Sequence, residues 1–395
     1  MKLTTKAILL AVGSTLLLGS YAARAADPVK IGVAIAQTGP FAPAAIPTLK
    51  AYQLWVEQTN AAGGLDVAGT KRPIDLIVYD DQSDFTKEAT IYEKLITDDK
   101  VDLLLSPYAT PAHFALVGLL ERYKFPMVGS TAASSQLKKV KPGYIWFPTS
   151  AMPDQMGPEL VKMWQSLGFK TVAIATLQSP FPQEIESYVK AVLKGTDIKV
   201  VASEQFAPDI RDMTSVVTTI KQAKPDVVLS LSFPAQSILY MKAAREQNLE
   251  APFQLVLIGP THEFFAKMFG PNLNGIVTIG HWSPFQAKWP KAKPFYDAYV
   301  KKFNESPDYL DVPLAYMSCE ILAQAVAKVG LDKAKLRNEI ATATFDTIDG
   351  PVKFDGVQNV STPTMFLQIQ DGRAQIVWPK AEATAPFQNK GPWAN

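Results

Sequence analysis

Three histidines, a single cysteine and the adjacent acids Asp80 and Asp81 are residues of this 395-residue chain whose types suit catalysis or metal binding. Their spacing serves neither. His113, His262 and His281 lie far apart, and none stands in an H-x-x-x-H or H-E-x-x-H frame, so no metal is expected. Cys319 falls on an apolar helical segment beside Met317 and Ile321, where a buried, inert thiol is expected rather than a nucleophile. Asp80 and Asp81 are neighbours on an extended segment, so their side chains point opposite ways and are poorly placed to share one substrate. Hydrogen bonding in a turn is their expected role. The chain holds no G-x-S-x-G nucleophile elbow, no phosphate loop and no G-x-G-x-x-G fingerprint. It reads as a protein that is not an enzyme and needs no cofactor.

What remains is a set of loop residues with the chemistry of a pocket: Phe41, Tyr108, Thr110, Thr131, Ser134, Phe181, Phe233, Thr261 and His262. Aromatic plates with a few hydroxyls and backbone N–H groups suit a small, partly apolar molecule. Each ring taken singly fits a core position as well as a pocket wall. Their recurrence just after strand-like runs favours a cleft.

Those runs come in two sets of four. The first is Val29–Ala36, Ile74–Tyr79, Val101–Leu105 and Pro126–Ser130; the second is Thr171–Thr176, Lys199–Glu204, Asp226–Leu231 and Phe253–Ile258. Nearly every run leads into a small or polar turn and then a helix-like segment, such as Leu49, Tyr52, Trp55 and Val56 at 3–4 residue spacing. Alternation of this kind builds a parallel sheet with helices on both faces. Ligands of open parallel sheets bind beyond the carboxyl ends of the strands. Two such halves facing each other make a two-lobed α/β binder. The blocks 293–303 and 312–329 have no strand partner and are expected to return to the first lobe. Residues 354–378 read as a hairpin turning at Asp371-Gly372. Crossovers are expected near Pro148, Gly280 and Val352, which restricts the lobes to hinge closure.

The N-terminus carries an address. Lys2 and Lys6 precede the apolar run Ala7–Gly19, and Ala23-Arg24-Ala25 is the small-x-small pattern that a signal peptidase reads. Thirteen apolar residues reach only about 20 Å, too short to span a bilayer. Residues 1–25 are therefore expected to be a signal peptide, without a cysteine for a lipid anchor at the cleavage site. No later stretch approaches the roughly 20 apolar residues of a membrane helix. The formal net charge of +2 gives no reason to invoke nucleic acid or an anionic membrane.

At this point the chain resembles a known family, the solute-binding proteins of branched-chain amino acid-type ABC transporters, with the type I periplasmic binding fold. The resemblance rests on Ile31-Gly32-Val33 through Thr38-Gly39-Pro40, Asn60-Ala61-Ala62-Gly63-Gly64, Tyr79-Asp80-Asp81, Asp154-Gln155-Met156-Gly157-Pro158, Lys224-Pro225-Asp226-Val227-Val228 and Gln247-Asn248-Leu249-Glu250-Ala251-Pro252. It implies two Rossmann-like lobes joined by a multi-strand hinge: 26–147 with 281–352, and 148–280 with 353–395. It also implies a periplasmic location, a permease with ATPase subunits as partners, and a monomeric shuttle. An extracellular sensor is the alternative that the same fold serves.

The resemblance places the ligand carboxylate on two first-lobe loops. One carries Tyr108, Ala109 and Thr110; the other spans Thr131–Ser134, with Ala133 where threonine is usual. Phe181 and Phe233 fall where tyrosine is common in amino acid binders, and Ala44 falls where a pocket aromatic is often seen. At Gly259-Pro260-Thr261, amino acid binders commonly place an acid third, to meet the ligand ammonium. Burying an ammonium without a counter-charge is costly. The implied ligand is a carboxylate with an aromatic body, of benzoate, phenylacetate or hydroxycinnamate type, with His262 as a further donor. A branched-chain or other amino acid, or an amide, remains the alternative if Glu263 or an unplaced acid replaces the missing one.

Overall fold

The computed structural model describes residues 27–394, so the expected signal peptide lies outside the described residues. The first lobe opens with β1 (Val29–Ala34), α1 (Ala42–Ala61), a small hairpin of β2 (Leu65–Val67) and β3 (Thr70–Arg72), then β4 (Ile74–Tyr79) and α2 (Glu88–Thr97). It continues through β5 (Leu103–Leu105), α3 (Thr110–Tyr123), β6 (Met127–Val128), α4 (Ser135–Val140) and β7 (Ile145–Trp146). β1 is buried at all positions but Lys30, as befits a parallel strand covered on both faces. It lies between β4 and β5 in a five-stranded parallel sheet of order β4-β1-β5-β6-β7. The turn after α1 needs glycine: Gly64 has φ +107°, and a Cβ there would meet the Arg72 carbonyl oxygen at 2.3 Å.

The second lobe repeats the alternation. It runs α5 (Pro153–Leu167), β8 (Thr171–Leu177), α6 (Pro180–Leu193), β9 (Lys199–Phe206), α7 (Thr214–Gln222), β10 (Val227–Leu231), α8 (Pro234–Glu246), β11 (Phe253–Val256), α9 (Glu263–Phe269) and β12 (Ile276–Gly280). The chain then crosses back through α10 (Ala292–Phe303), α11 (Asp311–Val329), α12 (Lys333–Thr342) and a small sheet of β13 (Thr344–Thr347), β14 (Gly350–Asp355) and β15 (Gln358–Asn359). Two last strands, β16 (Met365–Gln370) and β17 (Arg373–Trp378), complete a seven-stranded second sheet of order β17-β16-β12-β11-β10-β8-β9. They form the expected hairpin, turning at Asp371 and Gly372, both with positive φ.

The helical block packs on the first lobe. Against the expectation that no later stretch would approach a membrane helix, α11 is long and apolar enough to cross one, but most of it is buried as a core helix against α1. Tyr316 on α11 donates to Gln58 on α1 at 2.6 Å, and Tyr299 on α10 donates to the Pro47 carbonyl at 3.3 Å. The third crossover comes later than Val352. β14 and β15 stay with the first lobe, where Gln358 bridges to Phe147, and the chain passes over at about 360–364. There it runs beside the first crossover: Asn359 Nδ2 donates to the Pro148 carbonyl at 2.8 Å, and Thr364 Oγ1 to the Ser150 carbonyl at 2.6 Å. Linkers tied side by side allow bending and resist shear.

Candidate functional site

A cavity of about 30 Å³ lies between the lobes, beyond the carboxyl ends of both sheets. The first lobe contributes Tyr108, Ala109 and Thr110 from the β5–α3 loop, with Thr131 and Ala133 from the β6–α4 loop. The second contributes Phe181 in the first turn of α6, Phe233 at the start of α8, and Ile258 after β11. Leu310, Asp311 and Leu314 close one side from the start of α11. Thr149, Ala151 and Ile279 come from the hinge and its flanks.

The first-lobe loops are braced from behind. Tyr52 on α1 donates to Ser130 Oγ at 3.1 Å, and Ser106 Oγ donates to Ser130 Oγ at 2.8 Å, which joins the ends of β5 and β6. Ala109 adopts φ 71° and ψ 152°, a region costly for any residue with a Cβ, by roughly 1–3 kcal/mol. Two bonds hold it there. Its N–H donates to Thr131 Oγ1 at 2.8 Å, and its carbonyl accepts from His113 Nδ1 at 2.9 Å. Burial pushes the His113 pKa down to about 4, so the ring is neutral at pH 7. Thr110 Oγ1 accepts from the Ala133 N–H at 3.1 Å, and its own proton has only a long contact, 3.4 Å, to the Ala133 carbonyl. This hydroxyl stands at the N-terminus of a 14-residue helix, whose first N–H groups have no partner within the helix. Helix dipole, N–H groups and hydroxyls together favour an anion.

The two lobes touch directly. Phe41 packs edge-on against Phe233 with ring centroids 5.6 Å apart, and lies against Tyr108 at 6.1 Å. Glu184 on α6 accepts from the Ser135 N–H at 2.8 Å, from Ser135 Oγ at 2.6 Å, and from Ser134 Oγ. Tyr188 donates to Ser135 Oγ at 3.0 Å, and Lys138 pairs with Asp154 at 2.7 Å. These contacts describe closed lobes.

Of the expected site residues, Tyr108, Ala109, Thr110, Thr131, Ala133, Phe181 and Phe233 share the cavity wall. Phe41 backs two of those rings. Ser134 caps α4 and joins the Glu184 clasp, while Thr261 and His262 line a separate hollow beside α9. Glu263 points away from the cavity, accepting from the Ser306 N–H at 2.6 Å and pairing with Lys267 at 2.7 Å. The acids at 80 and 81 do diverge. Asp80 accepts from the Gln37 N–H, the Thr38 hydroxyl and the Gln82 N–H, and ties two loops. Asp81 turns inward towards Glu88, whose pKa burial and Asp81 push up to about 10.

The acid that does reach the cavity is Asp311, which the sequence reading does not single out. Its Oδ2 accepts from the Tyr108 hydroxyl at 3.0 Å, across 203 residues of chain. Burial, and then the neighbouring Asp308, push its pKa well above the usual carboxylate range. An acid in a helix's first turn is an ordinary sequence signal, and nothing local shows that this one faces a cleft. His262 Nε2 lies 3.9 Å from both Asp308 Oδ2 and Asp311 Oδ2, and neither ring nitrogen has a hydrogen-bond partner among the described residues. By donor type these three side chains could hold a metal. Tetrahedral ligands at ~2.1 Å from a metal stand only ~3.4 Å apart. Asp308 is moreover engaged at the helix start, accepting from the Leu310 and Asp311 N–H groups at 2.7 and 2.6 Å. Burial pulls the His262 pKa down against the opposing effect of Asp308. Of the trio only Asp311 lines the cavity, and His262 and Asp308 stand behind it.

Comparison with known proteins follows the same line. A family model described as periplasmic binding protein matches residues 28–374. A leucine-, isoleucine-, valine-, threonine- and alanine-binding protein of Pseudomonas aeruginosa is 24% identical over 338 residues, covering 84% of this chain and 87% of its own. The branched-chain amino acid transporter substrate-binding protein LivJ of Streptococcus pneumoniae, solved with isoleucine, superposes with a TM-score of 0.79 at 23% identity, covering 89% of this chain and 100% of its own. A solute-binding protein of an ABC transporter from R. palustris, solved with benzoate, gives 0.78 at 20% identity, covering 93% and 97%.

Proposed function

The chain belongs to the periplasmic binding protein family, and on that premise we propose that it captures a small aromatic acid by closing its lobes. It would hand the acid to a membrane permease driven by ATPase subunits, act in the periplasm as a monomer, and perform no chemistry itself. One observation carries this reading: the cavity sets phenyl walls, Phe181 and Phe233, opposite the anion-favouring start of α3. The α3 start with Thr110 suits the carboxylate and the rings suit its body. Thr261, in the position where the resemblance implies an acid, lines a different hollow. The R. palustris relative solved with benzoate supports the same ligand class.

A second reading has an observation of its own. Asp311 lines the cavity, and a branched-chain amino acid would bring its ammonium to it, as the P. aeruginosa relative's name suggests. A thermal-shift screen of residues 26–395 against aromatic acids, aliphatic acids, amino acids and amides separates the two, because a tight ligand raises stability by mass action. Stabilisation by aromatic acids and none by leucine or valine supports the first reading. Stabilisation by leucine or valine alone overturns it.

A further inference from the structure

We infer that Asp311, held by Tyr108, is an acceptor subsite for a ring hydroxyl, so that the cleft prefers hydroxylated aromatic acids to unsubstituted ones. The inference rests on the aromatic-acid reading and adds what lies at the far end of the ring. Tyr108 acts as a ruler. Its backbone belongs to the loop that starts α3, where the carboxylate sits, and its hydroxyl ends on Asp311 Oδ2 at 3.0 Å. The two polar ends of the cavity are therefore one phenol side chain apart. A hydroxybenzoate with its hydroxyl across the ring from its carboxylate has that length, and the lobes, closed here on a cavity of about 30 Å³, must stand further apart to hold it. An α-amino acid carries both charged groups on one carbon and reaches only one end.

The acceptor has capacity to spare. A carboxyl group offers about four lone-pair directions, and the Tyr108 hydroxyl uses one. Asp311 Oδ1 accepts no hydrogen bond from the described residues, although the side chain is only 5% exposed. Behind Asp311 stand His262 and Asp308, and the walls beside it are the aliphatic Leu310, Leu314, Ile258 and Ile279. They suit a neutral donor: a charged ammonium against four aliphatic walls would be poorly solvated. Burial and Asp308 already favour the neutral form of Asp311, which can share a hydrogen bond with a phenol in either direction.

The test is calorimetric titration of the protein with benzoate, 4-hydroxybenzoate, 3-hydroxybenzoate and leucine, reading the ratio of affinities. A site built around a substrate hydroxyl discriminates strongly against the analogue without it, so 4-hydroxybenzoate should bind at least about tenfold tighter than benzoate. In Asp311→Leu, made with Tyr108→Phe to leave no orphaned hydroxyl, the ratio should fall to near one. Asp311→Asn keeps the shape and replaces one acceptor oxygen with a donor, so the ratio falls there too. Equal binding of the two acids by the unaltered protein overturns the inference, and so does a preference that survives both substitutions. Binding of leucine with no aromatic acid binding overturns the reading beneath it instead.

Discussion

Glu184→Ala tests lobe closure at a point outside the cavity wall. Glu184 belongs to the second lobe, and the three hydrogens that it accepts, from the Ser135 N–H, Ser135 Oγ and Ser134 Oγ, belong to the first. All three bonds exist only when the lobes meet, so the substitution destabilises the closed form and leaves each separate lobe alone. A hydrogen bond to a charged group contributes about 1.5–3 kcal/mol net. Glu184 is partly exposed, and water replaces these bonds when the lobes part. The three together are therefore worth about as much as one well-buried bond, about 1.5–3 kcal/mol. Apparent affinity scales with the fraction of closed, competent protein. Ligand Kd should rise about tenfold to a hundredfold, with the melting temperature of the ligand-free protein almost unchanged. Calorimetric titration with the best ligand of the thermal-shift screen measures the first quantity, and a ligand-free melt the second. Small-angle scattering with saturating ligand should show a less complete compaction. A change in Kd under twofold would refute the clasp, as would a loss of ligand-free stability as large as the loss of affinity.

Thr110→Ala removes the hydroxyl at the start of α3 and should weaken binding of a carboxylate by about 1.5–3 kcal/mol; unchanged affinity in the same titration takes Thr110 out of the site. Phe233→Ala strips one cavity wall and the ring that meets Phe41 edge-on, so affinity for an aromatic acid should fall by about 2 kcal/mol or more, and indifference would leave Phe233 a core residue. His113 gives a pH signature. Its folded pKa, about 4, lies below its unfolded value of 6.5, so the unfolded chain binds the extra proton first as pH falls. Stability is lost between pH 6.5 and 4, by about 3 kcal/mol from this group. In urea titrations at pH 7 and pH 4, His113→Gln should lose less stability than the parent over that interval, and equal losses would refute the assignment.

Much of the architecture was legible because period and punctuation are local. β1 alternates larger and smaller residues and then stops at a turn, α1 repeats its apolar face every 3–4 residues, and Gly63-Gly64 stops it, with Gly64 where a side chain would strike the Arg72 backbone. The same holds for the hairpin at Asp371-Gly372. Other short elements were not legible: β2 and β3 have three residues each and β7 two, and such lengths carry no period, whereas the two-residue β6 falls inside the expected run Pro126–Ser130. The last crossover was misplaced for a related reason. Residues 354–359 read as the start of the terminal hairpin, but β14 and β15 are held by β13 and by Phe147, partners that no local pattern announces.

By itself, the sequence determined the two-fold βα repeat, the loops that carry hydroxyls and rings, and the absence of the spacings that nucleophilic or metal chemistry needs. These are properties of neighbouring residues, set by steric preference and periodicity. Only the tertiary structure decided which loop residues meet. It set Thr261 and His262 on a hollow beside α9 and paired Glu263 with Lys267 and the Ser306 N–H, just after Gly259, which turns the chain at φ +137° where a Cβ would strike the Phe265 ring. It drew Ser134 into a clasp with Glu184, and it brought Asp311 onto Tyr108 from 203 residues away. A cleft between lobes is made of groups distant in the chain, and their meeting depends on how the hinge linkers set two independently packed sheets face to face.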